Sequence, residues 1–250
     1  MYKSLFSIRW ILSSLLVLVL VGVMIRLGFW QLDRLAERRA LNARVNAQIS
    51  APVLNLNLDL PVNELFDMEY RSVVVSGVYD FSQEVILRNQ VHDDKLGYEV
   101  ITPLEIQGSS YGVMIERGWI PAEEAQPDLR VKFEEPGLVQ VKGFLRRSQS
   151  QPTYAGAAEP TLASGQTRQD TWTMINLESM QKQVNLTLLP VYIQQAPDPA
   201  WTGMPYRSIN LPDLSEGPHL GYAIQWFLFA TVAGVVYPIY VRRRLKKLKK

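Results

Sequence analysis

Apolar positions in this chain gather at its two ends. Residues 10–25 carry no charge, and residues 219–241 carry none over 23 positions. At 1.5 Å per residue the second run reaches ~34 Å as a helix, enough to cross a hydrocarbon core about 30 Å thick. The first run becomes long enough by continuing through Leu27-Gly28-Phe29-Trp30, with Arg26 snorkelling toward the interface. Between the ends the pattern changes twice. Residues 31–48 read as a polar helix continuing the first span, with Leu32, Leu35, Leu41 and Val45 as a partial apolar stripe. Pro52 and Pro61 break it, and from Tyr70 onward the signal is that of strands. Seven are expected, over 71–79, 84–88, 98–102, 111–117, 139–145, 170–175 and 190–194. Asn176 is placed to cap a short helix over 177–184. Residues 148–169, rich in Gln, Ala, Gly, Ser and Pro, read as a mobile loop, and 196–218, with five prolines, as an extended strap returning the chain to the membrane.

This pattern predicts an α+β membrane protein. One transmembrane helix at each terminus flanks an extracytoplasmic antiparallel β-rich domain, barrel- or sandwich-like, with short helices. The segments are a cytoplasmic N-terminus (1–9), a first span (10–30), the extracytoplasmic domain (31–218), a second span (219–241) and a basic cytoplasmic tail (242–250). A cleaved signal peptide is the alternative for the first span, but no small-x-small cleavage pattern follows it.

Charge orients the molecule. Seven cations and no acid follow the second span, which assigns both termini to the cytoplasmic side and the domain to the periplasm. Arg34, Arg38, Arg39 and Arg44 argue locally the other way, although long loops translocate largely regardless of charge. The middle of the chain, residues 27–218, holds all 24 acidic residues and nets −8, so the overall +2 gives no reason to expect a nucleic-acid partner. The absence of cysteine excludes disulfides, Cys-based zinc sites, iron–sulfur clusters and c-type haem attachment.

Candidate chemistry is sparse. No nucleophile elbow, phosphate loop or zincin motif occurs, and an enzymatic role is not expected. The chain has two histidines. His92-Asp93-Asp94 reads as an exposed turn, with metal binding as the weaker alternative. His219 opens the second span and shares a helical face with Tyr222, Ala223 and Trp226, within about 100° at 3.6 residues per turn. Ala230 and Gly234 continue that face as a small-xxx-small pair suited to a neighbouring helix. On spacing alone, His219 is either an interfacial side chain hydrogen-bonded to a headgroup or the strap, or a metal or haem ligand.

Five ordered blocks carry a resemblance. Gly28-Phe29-Trp30-Gln31-Leu32-Asp33-Arg34 is similar to the Gly-x-Trp-Gln-x-x-Arg signature of the surfeit-locus-one family of cytochrome c oxidase (respiratory complex IV) assembly factors. Arg71-Ser72-Val73 leading to Gly77, Gly97 with Thr102-Pro103-Leu104, Arg117-Gly118-Trp119-Ile120-Pro121, and 219–227 agree in order. Glu116 departs from the family's common Asn. The resemblance implies a chaperone-like factor that binds haem a and presents it to the catalytic subunit of haem-copper oxidase, in company with other assembly factors. It also implies His219 as ligand to the haem iron, with Tyr222 and Trp226 shielding the macrocycle and Arg34 as a partner for the propionates. Trp30-Gln31 and Arg117-Gly118-Trp119 have structural readings, as an interfacial anchor and as a strand bulge or close backbone approach. The competing expectation is a protein-binding scaffold that stabilises an oxidase intermediate without cofactor. With only nine residues before Trp10, a bacterial inner (cytoplasmic) membrane is the expected location rather than a mitochondrial one.

Overall fold

Residues 8–149 and 168–247 are described by the computed structural model of this chain. The elements run α1 (Ile8–Ile49), β1 (Leu54–Asn55), β2 (Ser72–Tyr79), β3 (Val85–His92), β4 (Lys95–Ile106), β5 (Tyr111–Pro121), α2 (Pro127–Arg130), β6 (Leu138–Arg147), β7 (Thr171–Trp172), α3 (Leu177–Gln181), β8 (Thr187–Gln195) and α4 (His219–Lys247). They form two compact units, Met1–Arg44 with Asp213–Lys250, and Val45–Pro212.

In the first unit the expected span and its polar continuation are one uninterrupted helix of 42 residues. No proline interrupts it, and isolated glycines cost too little to break it. Both α1 and α4 are long and apolar enough to cross a membrane. Their outward faces present Leu12, Leu16, Leu18, Leu228, Val232 and Val236 as exposed side chains, a continuous apolar surface unsuited to water. The two helices run antiparallel. Trp10 meets Tyr240 (ring centroids 6.4 Å apart), Ser13 and Ser14 share the Tyr237 hydroxyl (2.7 and 2.9 Å), and Phe29 packs edge-on against Phe227 at 5.3 Å. Gly28 permits a close approach, since a Cβ there would lie 2.6 Å from the Phe227 ring. The expected Ala230/Gly234 pair is half right. Ala223 and Ala230 are buried, whereas Gly234 is exposed with open space around it. One turn further on, the Tyr237 hydroxyl joins the helices through Ser13 and Ser14 instead.

In the second unit β2, β6, β8, β5 and β4 close into a five-stranded barrel, with β2 pairing back to β4 through Gly77↔Ile106 and Tyr79↔Leu104. The interior is filled by alternate residues, among them Val73, Val75, Leu104, Val113, Ile115, Val141, Leu145 and Ile193. The sequence pattern suggested antiparallel pairing throughout; β5 and β8 instead run parallel, with Ile115 opposite Ile193. Strand direction cannot alternate around a ring of five, so at least one neighbouring pair must be parallel. The two-residue strands β1 and β7 also join in parallel, to β2 and β3.

A second apolar layer lies outside the barrel wall, where Leu177 and Met180 of α3 pack with Ile101, Met114, Ile175 and Tyr192. Asn176 caps α3 as expected, its side-chain oxygen accepting from the Ser179 amide at 2.9 Å, although the helix ends at Gln181 rather than near Val184. Burial on both faces explains why β5 reads as a nearly continuous apolar run. Residues 150–167, most of the expected loop, lie outside the described residues.

Candidate functional site at the head of the second apolar helix

Within the first unit, residues 213–218 are laced to the polar half of α1. Arg38 donates to the carbonyls of Asp213 (2.6 Å) and Ser215 (3.1 Å), Arg39 makes a bidentate pair with Glu216 (both 2.8 Å), and Asn42 donates to the Leu214 carbonyl at 2.6 Å. The Arg39 guanidinium holds the Glu216 carboxyl below its usual range. These bonds deliver Gly217-Pro218-His219 to the start of α4.

There His219 is half-buried, and its Nδ1 lies 2.8 Å from Oε1 of Gln31. Among the described residues its Nε2 takes no hydrogen-bond partner. Gly217, in the left-handed region at φ +68°, lies beside that edge of the ring. A Cβ there would stand 3.4 Å from Cδ2 and 3.6 Å from Nε2, so the glycine keeps the edge clear. The other expected site residues are spread around it. Tyr222 is exposed, and Trp226 is half-buried, packed edge-on to Phe229 at 6.3 Å. Arg34 is exposed and engaged within its own helix, 2.6 Å from Glu37 and with its guanidinium 5.9 Å from the Trp30 ring centre. Reading the sequence alone missed Gln31 as the partner of His219 and Gly217 as the residue that opens its edge. Gln31 lies within the Gly28–Arg34 segment, but its partner is 188 positions away.

The Arg117-Gly118-Trp119 block serves the second unit. Val100 pairs with Gly118 and Ile101 with Glu116, so Arg117 is the extra residue of a bulge. Its buried guanidinium bonds Glu84 and Glu135 (3.1 Å each) and the Phe133 carbonyl, and lies over the rings of Tyr79 and Phe81. Burial pushes the Glu84 carboxyl up against the pull of Thr102, Arg117 and Arg130. Gly118, at φ +135°, admits the strap: a Cβ would lie 2.7 Å from the Tyr206 carbonyl oxygen. Trp119 and Tyr206 exchange backbone hydrogen bonds of 2.9 and 2.8 Å. The expected exposed turn at His92 is a tight hairpin with Asp93 and Asp94 at positive φ, but the imidazole itself is not free in solvent. It stacks on Tyr206 at 5.3 Å and 10° and packs against Trp119.

On the outer face of β4 and β5, Glu99 and Glu116 are both buried. Burial raises the Glu116 carboxyl to about 7, against the opposing pull of Arg146 and a hydrogen bond from Gln194. Glu99 is raised well above its ordinary value by burial and by the neighbouring Glu116 charge.

The sequence profile described as the SURF1 family matches residues 18–231. The chain belongs to the SURF1 family. A SURF1-like protein of Rickettsia conorii is 26% identical over 236 residues, covering 92% of each chain. A SURF1-like protein of Caenorhabditis briggsae is 24% identical over 253 residues (92% of this chain, 76% of that one), and surfeit locus protein 1 of Mus musculus is 24% identical over 232 (87% and 72%). The SURF1 family is known for cytochrome oxidase assembly. The match runs through both apolar helices and the barrel between them, so both units belong to what the SURF1 family shares.

Proposed function

We propose that this protein assists the assembly of cytochrome c oxidase by holding haem a for the catalytic subunit, with His219 as the residue that would bind the iron. The observation that carries the reading is an imidazole anchored through Nδ1 while its Nε2 edge is left clear by Gly217. That donor suits the group, because a neutral imidazole ligates haem iron through one ring nitrogen while the other is hydrogen-bonded. Tyr222 and Trp226 lie on the same helix within two turns and would offer aromatic surface to a bound haem. The haem would supply only the cargo to be transferred; the chain supplies a ligand, an anchor for it and apolar walls. We place both termini in the cytoplasm and the barrel in the periplasm of a bacterial inner membrane, on the strength of the basic residues after Val241.

The test is the visible spectrum of protein purified from cells that make haem a. A haem signal that disappears in His219→Ala is expected, and an unchanged signal removes His219 from the account.

One observation favours a second reading, a scaffold that steadies an oxidase intermediate without cofactor. Arg34, Arg38 and Arg39 are already engaged with Glu37, the 213–215 carbonyls and Glu216, and so are not waiting for propionates. This reading predicts that the protein co-purifies with the catalytic subunit from cells lacking haem a, whereas the first predicts loss of that association.

A further inference from the structure

Two features of the His219 site point in the same direction. Nδ1 faces an amide oxygen at 2.8 Å, and Nε2 lies beside Gly217, which places no side chain against it. An amide oxygen can only accept, so with this orientation the ring proton sits on Nδ1 and the lone pair on Nε2. The opposite orientation of the Gln31 amide would present N–H donors to Nδ1 and move the ring proton to Nε2, where it would block a metal.

The geometry points to Gln31 as the positioning residue of this site: it fixes the Nδ1–H tautomer of His219 and thereby makes Nε2 the iron-facing nitrogen. The claim rests on the reading of His219 as the haem ligand and adds to it a residue on the other helix. Gln31 is well placed for this. It is half-buried, one turn beyond Gly28, whose lack of a side chain lets α1 and α4 approach closely at Phe227. The anchor and the ligand are therefore held by the same helix pairing. A neutral acceptor at Nδ1 also raises the donor strength of Nε2 without adding a charge near the lipid interface. Glutamate in place of Gln31 would keep the acceptor; leucine would keep the bulk and remove it. Hydrogen-bond partners of this kind, once removed, typically weaken metal binding 10–100-fold.

The experiment uses the full-length chain in detergent or nanodiscs, labelled with ¹⁵N-histidine. With only two histidines in the sequence, the signals lost in His219→Ala assign the site. At alkaline pH the haem-free protein is expected to show His219 as a single tautomer protonated at Nδ1. Gln31→Glu is expected to keep that tautomer, and Gln31→Leu to give a mixture or the Nε2–H form. An Nε2–H tautomer in the unaltered protein, or no change in Gln31→Leu, overturns the assignment of Gln31, whatever the haem results. Titration with haem forms the second arm. Gln31→Leu is expected to bind 10–100-fold more weakly and Gln31→Glu to restore binding to near the unaltered level. If His219→Ala binds haem as well as the unaltered protein, the ligand reading fails while the tautomer arm still judges Gln31. If His219→Ala abolishes binding and Gln31→Leu has no effect, the positioning claim alone fails.

Discussion

Arg117 shows why a residue in a recurrent block need not touch a ligand. It is buried against the Tyr79 and Phe81 rings, with two carboxylates and a carbonyl around it, and its removal leaves Glu84 to the longer 3.7 Å contact with Arg130 and Glu135 to Arg207. Arg117→Ala is expected to destabilise the barrel by about 3 kcal/mol, read as a lower unfolding midpoint of the whole protein. Glu116 makes the opposite kind of prediction, one of pH. Its folded-state value, about 7, lies above that of an exposed glutamate, so the folded protein holds this proton more tightly than the unfolded chain. Its contribution is fully present below about pH 4.3 and is lost as pH rises toward 7 and beyond, with Glu99 acting in the same sense. The linkage is on the order of 3 kcal/mol for a shift of this size. Glu116→Gln, which keeps the shape and removes the charge, is expected to flatten the fall of unfolding midpoint that the unaltered protein should show between pH 5 and pH 8.

Among the elements, α1 and α4 offer a test that the absence of native cysteine makes clean. Ser14→Cys with Tyr237→Cys is expected to crosslink the two helices with a short bifunctional thiol reagent. Adding Gly28→Leu, which drives a side chain into the Phe227 ring, is expected to reduce the yield several-fold on a gel. The same scale shows what could be read from the sequence. The alternation of Val139, Val141 and Leu145 marked β6 because one face lines the barrel, and Asn176 announced α3 because a cap is local chemistry. β1 was invisible: two residues after Pro52 carry no periodicity, and Leu54 and Asn55 pair only because β2 lies beside them. The far half of β3 was missed because the register slips between Leu87 and Gln90, with Asn89 at φ 63°, which breaks the alternation. The expected strand over 170–175 keeps only Thr171 and Trp172 in a ladder, since Ile175 turns into the layer beneath α3. Of the candidate site, the position of His219 at the start of an apolar run is legible in the sequence. Gln31 and Gly217 are not, because their meaning depends on a contact across the hairpin and on the space beside one ring edge.

At the scale of the whole molecule, the membrane orientation is the prediction that organises the rest. A fluorescent or enzymatic reporter fused after Lys250 is expected to be active only when cytoplasmic, and one inserted near Gly108, an exposed turn between β4 and β5, only when periplasmic. The reverse pattern overturns the proposed placement of the barrel and of His219. The ring of five strands has a consequence for how the domain forms. Its one parallel seam joins β5 to a strand that begins at Thr187, and β8 is also the only strand between β5 and β6. A chain delivered from its N-terminus cannot seal the cylinder while that last staple is still behind it. Nascent chains halted before Thr187 should remain open to protease, and resistance should appear abruptly once Gln195 emerges.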